Sequence, residues 1–234
     1  MTVSIVIPAF NEASIIGLSI EEALCCVEAS EVIVVDDGST DGTADAARLA
    51  APSVVIRLAC NGGKAAAMDA GVRAARNDII LFMDADVSGH TPETLSRIVQ
   101  PVITGQYEMY VGLRARNTVW LNRLLHFFPI IGGERAVTRR LWETVPGAYQ
   151  EGFKIEIALN HTAKQFEPGM GFELISGTRH HTKEKKYGLW LGSVRRLYMI
   201  FDVVMISVQI YLWSPVVTVL RRGILAMRGW LWAD

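Results

Sequence analysis

The most constraining feature of this chain is an alternation. Short apolar runs rich in β-branched residues, at Val3 to Ile7, Val32 to Val35, Val54 to Leu58 and Ile79 to Met83, are separated by longer stretches of Ala, Glu and Leu. Strand alternating with helix is the pattern of βαβ units, and continuous rather than every-other-residue hydrophobicity marks strands buried on both faces. The fold class predicted is α/β: a mostly parallel, Rossmann-like sheet flanked by helices. In such sheets ligands gather at the carboxyl ends of the strands, so the residues just after each run are the ones to inspect.

Those residues are "PAFNE", "DDGSTDGT", "CNGGK" and "DAD". In "VVDDGSTDGTADAA" two carboxylates end a strand, and Thr40 or Asp41 stands where it would cap the next helix. Asp37 there could accept hydrogen bonds from a nucleobase. "CNGGKAAAMDAG" lacks the GxxxxGK[ST] spacing of a P-loop. Its Gly62 and Gly63 instead permit close backbone approach before a helix N-terminus, where Lys64 adds a cation. In "ILFMDADVSG" a buried strand runs straight into Asp84 and Asp86. Two anions in an apolar setting are costly to desolvate unless neutralised, and a hard divalent cation, Mg²⁺ or Mn²⁺, would bind them together with substrate phosphates.

Further along, a helix is predicted from Pro92 to about Ile103, then a strand ending in "YVGLR". An amphipathic helix over Asn117 to Ile131 and another helix around Phe153 to Ala163 complete the pattern.

Four of these segments, "SIVIPAFNE", "VVDDGSTDGT", "NGGKAAAMDAG" and "DAD", stand in the order and at the spacing of the family 2 glycosyltransferases with the GT-A fold. The chain resembles most the branch containing dolichyl-phosphate mannose synthase and its bacterial polyprenyl-phosphate relatives. The resemblance is clear over residues 3 to about 115 and weaker to about 190. It implies transfer of a sugar from a nucleotide diphosphate donor (UDP-, GDP- or dTDP-sugar), with inversion in most members. By position, Pro8, Ala9, Asn11 and Glu12 would line the nucleoside pocket and Asp37 would meet the base. Lys64 would sit near the nucleotide. Asp84 is assigned to ribose or water-mediated contact and Asp86 to direct metal ligation. Arg114 matches a basic residue near the donor phosphates or acceptor, where it would stabilise the departing diphosphate. His180 or His181 would supply a further metal ligand. The catalytic base falls to Glu156 or Glu134, although an acceptor that is already an anionic phosphate needs no strong base. The ED-plus-QxxRW pattern of processive polysaccharide synthases is missing.

Composition bears on the acceptor. The net charge is only −1, which argues against a nucleic-acid partner, yet from Ser176 onward nine Lys or Arg face three Asp or Glu. Val203 to Leu220 carries no charge over 18 residues. As a helix that is about 27 Å, just short of a hydrocarbon core of about 30 Å. Pro215 and Gln209 interrupt it, and Trp190, Trp213, Trp230 and Trp232 suit headgroup depth. A transferase domain over residues 1–188 is therefore expected to carry an apolar helical tail, 189–234, lying in a membrane interface, with a true span or a homo-oligomer contact as the other uses. The acceptor is then a lipid-linked molecule, with a small soluble molecule as the alternative and a non-catalytic sugar-nucleotide-binding module as the rival reading. Because "MTVSIVIP" begins folded structure at once, the protein is expected in the cytoplasm, attached to the inner face of the cell membrane. Cys25, Cys26 and Cys60 form no disulfide framework and are expected to be buried thiols.

Overall fold

The structure is a computed structural model that describes residues 2–114, 133–147 and 154–180. The expected helix over 117–131, His181, the boundary near 188 and the tail from 189 lie outside the described residues. All described residues fall in one compact unit, Met1–Lys186.

Strand β1 (Val3–Ala9) is the hub of a seven-stranded sheet of order β3-β2-β1-β4-β7-β6-β8. It pairs in parallel with β2 (Ala29–Asp36) on one side and β4 (Ile79–Phe82) on the other, and β3 (Val54–Arg57) extends the sheet beyond β2. The chain thus winds outward through β2 and β3 and returns across β1 to β4. That reversal opens a crevice at the carboxyl ends of β1 and β4, the place where α/β sheets bind ligands.

Burial explains why the runs of β1, β2 and β4 read as continuously apolar; β3, at the sheet edge, is apolar but only partly buried, contrary to the expectation for its run. Val3, Ile5, Val6 and Ile7 are fully buried, each such side chain contributing about 1.5–3 kcal/mol. Val3, Ile5 and Ile7 share a core with Ile16 and Ile20 of α1 (Ile16–Leu24) and Leu95, Ile98 and Val99 of α4 (Pro92–Ile103). Val6 faces the opposite way, against Gly71 of α3 (Lys64–Ala74), and a Cβ at Gly71 would lie 2.3 Å from Val6 Cγ1. A glycine there lets helix and sheet approach to contact distance.

Helix α2 (Thr43–Leu49) departs from expectation at its start. Gly42, left-handed at φ 83°, occupies the N-cap, while Asp41 accepts the Thr43 N–H from one position further out. The cap expected of Thr40 or Asp41 is displaced because the left-handed turn at Gly42 separates them from the first helical residue. Helix α4 starts with a true cap: Thr91 accepts the Thr94 N–H, and Pro92 fills the first turn, where a missing N–H costs nothing.

The parallel sheet has one antiparallel member. After β6 (Met109–Arg114), strand β7 (Glu134–Thr138) inserts between β4 and β6 and runs against both. Helices α5 (Arg139–Thr144) and α6 (Lys154–Ala163) lead to β8 (Met170–Ile175), parallel to β6 at the edge. A separate two-stranded ribbon pairs β5 (Val87–Ser88) with β9 (Arg179–His180), just beyond the end of β4. Of the three cysteines Cys26 alone is buried; Cys25 and Cys60 are exposed, so their thiols are not core packing.

Candidate active site

The strand ends expected to carry chemistry are tied to one another by backbone hydrogen bonds. Pro8 and Ala9 are the last residues of β1, opposite Val35 and Asp36. Asn11 follows in the left-handed region at φ 56°, a conformation rare outside glycine. It is held there from the β2 loop: its N–H donates to Ser39 Oγ at 2.9 Å and its Oδ1 accepts the Thr40 N–H at 2.9 Å. Buried Glu12 donates its N–H to Thr43 Oγ1 at 2.9 Å.

Asp36 and Asp37 are both buried and serve different loops. Asp36 accepts the Ser39 N–H at 2.9 Å and closes its own turn, with Arg57 Nε 3.5 Å from its second oxygen. Asp37 reaches across to "NGGK", where Oδ1 accepts the Gly62 N–H and Oδ2 the Gly63 N–H, each at 2.8 Å. A Cβ at Gly38 would lie 2.7 Å from the Cys60 carbonyl carbon, so only glycine lets the two loops touch. "DDGS" and "NGGK" are thus one structural unit, and its product is the placement of Lys64 at the start of α3.

Lys64 is the centre of the site. Its ammonium donates to Asp84 Oδ1 and to Glu156 Oε1, both at 2.8 Å. Arg114, the last residue of β6, places Nη2 3.6 Å from Asp84 Oδ2. Arg135, buried on β7, places Nη2 3.7 Å from Glu156 Oε2. Three cations thus converge on two carboxylates. Burial pushes the Lys64 pKa down, but the Asp84 and Glu156 charges outweigh it and hold it above the ordinary lysine value. Burial likewise raises Asp84 and Glu156, and is outweighed for both by Lys64, joined by Arg114 and Arg135 for Asp84 and by Arg135 for Glu156. Both carboxyls stay below their usual range and are ionised at neutral pH.

Asp86, half-buried, lies in the turn that follows. The turn is supported by α1: Ser19 Oγ donates to the Ala85 carbonyl at 2.9 Å. Beyond it the β5–β9 ladder sets Val87 opposite His180, which brings β9 alongside this turn. Among the described residues no three His, Cys, Asp or Glu side chains form a ready-made metal cage. The donors present, the half-buried carboxylates Asp84 and Asp86, are of the kind that suits a hard cation taking one or two protein ligands and completing its shell from phosphate and water.

The structure therefore brings Lys64, Asp84, Arg114 and Glu156 to one point, with Asp86 and Asp37 on adjoining turns. Glu134 is not with them. It is fully buried and turned toward His90, whose Nε2 lies 3.1 Å away. Sequence reasoning passed over Arg135. In "ERAVT" it stands beside Glu134, and two adjacent charges do not read as part of a buried strand.

A family model described as Glycosyl transferase family 2 matches residues 4–145. The undecaprenyl-phosphate 4-deoxy-4-formamido-L-arabinose transferase of Aeromonas hydrophila is 35% identical over 130 residues, covering 52% of this chain and 40% of that protein. The glucosyl-3-phosphoglycerate synthase of Mycolicibacterium paratuberculosis is 30% identical over 194 residues, 68% of this chain and 58% of that one. This chain thus spans well under two thirds of either relative. Among solved structures, glucosyl-3-phosphoglycerate synthase from Mycobacterium tuberculosis, in complex with Mn²⁺, UDP-glucose and phosphoglyceric acid, superposes with a TM-score of 0.70 at 23% identity, over 89% of this chain and 79% of that one. That likeness is one of fold, and it fits the mostly parallel, helix-flanked sheet expected from the sequence. With the family model covering more than half of its length, the chain belongs to glycosyl transferase family 2, an enzyme family, and carries its GT-A fold.

Proposed function

We propose that the chain transfers a sugar from a nucleotide diphosphate sugar to a phosphate-bearing acceptor, a membrane lipid phosphate, with a divalent cation bound at Asp86 and with inversion. The carrying observation is the Lys64–Asp84–Glu156 bridge flanked by Arg114 and Arg135 at the carboxyl end of β4. These five groups and Asp86 sum to zero charge. A divalent cation makes the cluster +2, equal and opposite to the two charges of a nucleotide diphosphate sugar, so each is stabilised by the other.

Pro8, Ala9, Asn11 and Glu12 form the nucleoside wall in this reading, with Asp37 at the base and Asp84 toward the ribose. Asp84 already faces two cations, which leaves Asp86 the better direct metal ligand, with His180 or His181 as a further one. Mg²⁺ or Mn²⁺ bound there would act as a Lewis acid on the leaving diphosphate. Lys64 and Arg114 add fixed positive charge where negative charge develops as the glycosidic bond breaks.

The state of Glu156 bears on the acceptor. Held ionised by Lys64 and Arg135, it has little proton affinity and makes a weak general base. That favours an acceptor oxygen that is already anionic, and a relative named as an undecaprenyl-phosphate transferase supports the lipid form. A soluble phosphorylated acid is the second reading, supported by the longer match to glucosyl-3-phosphoglycerate synthase. Among the described residues no helix is long and apolar enough to cross a membrane. The basic, apolar segment 189–234 is proposed to dock a domain of residues 1–188 on the cytoplasmic leaflet, with self-association as its other use. The test is a radiolabelled sugar-nucleotide assay with lipid extract and soluble extract offered separately. Label partitioning into the organic phase supports the reading; label found only in phosphorylated water-soluble product overturns the lipid acceptor.

A further inference from the structure

Beneath the Asp84–Asp86 turn lies a buried imidazole that the proposed chemistry does not use. The side chain of His90, four residues beyond Asp86, is fully shielded from solvent. Each ring nitrogen meets a carboxylate: Nδ1 is 3.0 Å from Glu22 Oε2 on α1, and Nε2 is 3.1 Å from Glu134 Oε1 on β7. A neutral imidazole has one N–H and would turn a lone pair toward one of these anions. Only the imidazolium sets positive charge between both, with Nδ1 hydrogen-bonded to Glu22 and Nε2 at ion-pair distance from Glu134. Glu134 has a further need of that charge, since neither of its buried oxygens completes a hydrogen bond among the described residues and the 3.1 Å approach of His90 Nε2, which completes none either, is a contact of charge.

The ring is one part of a larger grip on this segment. Glu22 also accepts the Gly89 N–H at 2.7 Å and the His90 N–H at 3.0 Å. One turn earlier on α1, Ser19 holds the Ala85 carbonyl. Gly89 is pressed against the chain leading into β9: a Cβ there would lie 2.6 Å from the Gly177 carbonyl oxygen. Residues 85–90 are thus held from below by α1 and from the side by β7, and they in turn carry β5 and its partner β9.

We propose that protonated His90 is a latch that ties this segment to Glu22 and Glu134 and so positions Asp86 and β9 for the donor. It is a positioning residue, since it touches no atom of the proposed reaction centre. The positioning rests on the donor site proposed above; the latch itself does not. Burial acts to lower the His90 pKa, but the Glu134 and Glu22 carboxylates outweigh it and hold it above the ordinary imidazole value. These two, from β7 and α1, are the charged side chains facing the ring among the described residues. With the folded pKa raised, the latch contributes stability that is fully present below the unfolded value near 6.5 and is lost as pH rises through the folded value. It opens on the alkaline side.

The experiment uses the full chain as wild type, His90→Gln and Glu134→Gln, with two readouts from about pH 6 to 9.5, a window that spans the imidazole range. Thermal melts without metal or nucleotide read the latch alone; the KM for the sugar nucleotide, with metal, reads positioning. The wild-type midpoint should fall as pH rises through the His90 titration, His90→Gln should lack that fall, and Glu134→Gln should move it to lower pH. The wild-type donor KM should rise over the same interval, by about 10- to 100-fold as for other supports of metal ligands, with kcat little changed, and should be flat in His90→Gln. A His90→Gln protein that keeps the alkaline fall overturns the latch. Melts that behave as expected beside a wild-type KM that ignores pH overturn the positioning role. If His90→Gln does not fold, the shift in Glu134→Gln decides, and its absence overturns the latch. If no sugar nucleotide is turned over at all, the donor reading fails, while the melts still judge the latch.

Discussion

Replacing Lys64 with Met keeps the apolar stem and removes the ammonium that bridges Asp84 and Glu156. Removing one partner of a buried ion pair typically costs about 3–5 kcal/mol, because the remaining charge is stranded. Here the cost is smaller: the Asp84 side chain is 19% exposed, Arg114 still stands 3.6 Å from it, and Arg135 stands 3.7 Å from Glu156. A loss of about 2–3 kcal/mol is expected, a fall in Tm of roughly 5–10 °C for a domain of this size. The pH dependence has a definite sign. In the native chain both carboxyls are held below their ordinary range. Each therefore adds stability that is present above the unfolded pKa, near 4, and is lost as pH falls through the lower folded value. Without Lys64 burial raises both, they take up protons in the fold, and the variant loses less on acidification. Thermal melts at about pH 7.5 and pH 4.5 should show the gap between the two proteins narrowing toward acid. A gap under about 2 °C at the higher pH, or one that does not narrow, would refute the bridge as the organiser of this site.

Glu156→Gln should lower kcat less than about tenfold with a phosphate acceptor; a loss of about 10²–10⁴-fold would make Glu156 a general base and point to a hydroxyl acceptor. Gly71→Ala places a methyl 2.3 Å from Val6 Cγ1 and should cost about 1–3 kcal/mol in denaturant titrations, and an unchanged midpoint would mean that α3 is free to lift from β1. Asp37→Ala removes the acceptor of two backbone N–H groups and should lower stability by about 1–3 kcal/mol while raising the KM for the sugar nucleotide; a change in neither would separate the "NGGK" loop from the donor site.

Much of the fold was legible because burial on both faces writes itself as unbroken apolar runs. Strands β1, β2, β4 and β6 and helix α4 sit within a few residues of where the sequence pattern placed them. Strand β7 was not legible: its buried Glu134 and Arg135 break the apolar pattern, and their burial depends on partners far away in sequence. The same division runs through the site. Lys64, Asp84 and Arg114 were found because each ends or follows a strand at the carboxyl edge of a parallel sheet. The contact from Lys64 to Glu156 spans 92 residues and exists only because α6 packs back over that edge. Sequence suggested Asp37 for a nucleobase but gave no sign that it also holds Gly62 and Gly63, since hydrogen bonds to backbone leave no trace in residue type. Glu134 looked as fitting a base as Glu156 until its side chain was seen against His90.

The central claim is that Asp86 seats a divalent cation through which the diphosphate of a sugar nucleotide is gripped. Calorimetric titration of UDP-, GDP- and dTDP-sugars into the wild-type protein and Asp86→Asn, with Mn²⁺ and with chelator, tests it directly. One donor should bind the wild type in the presence of Mn²⁺ and weaken by about 10- to 100-fold both on chelation and in Asp86→Asn. Donor affinity indifferent to Mn²⁺, or unchanged in Asp86→Asn, would contradict it.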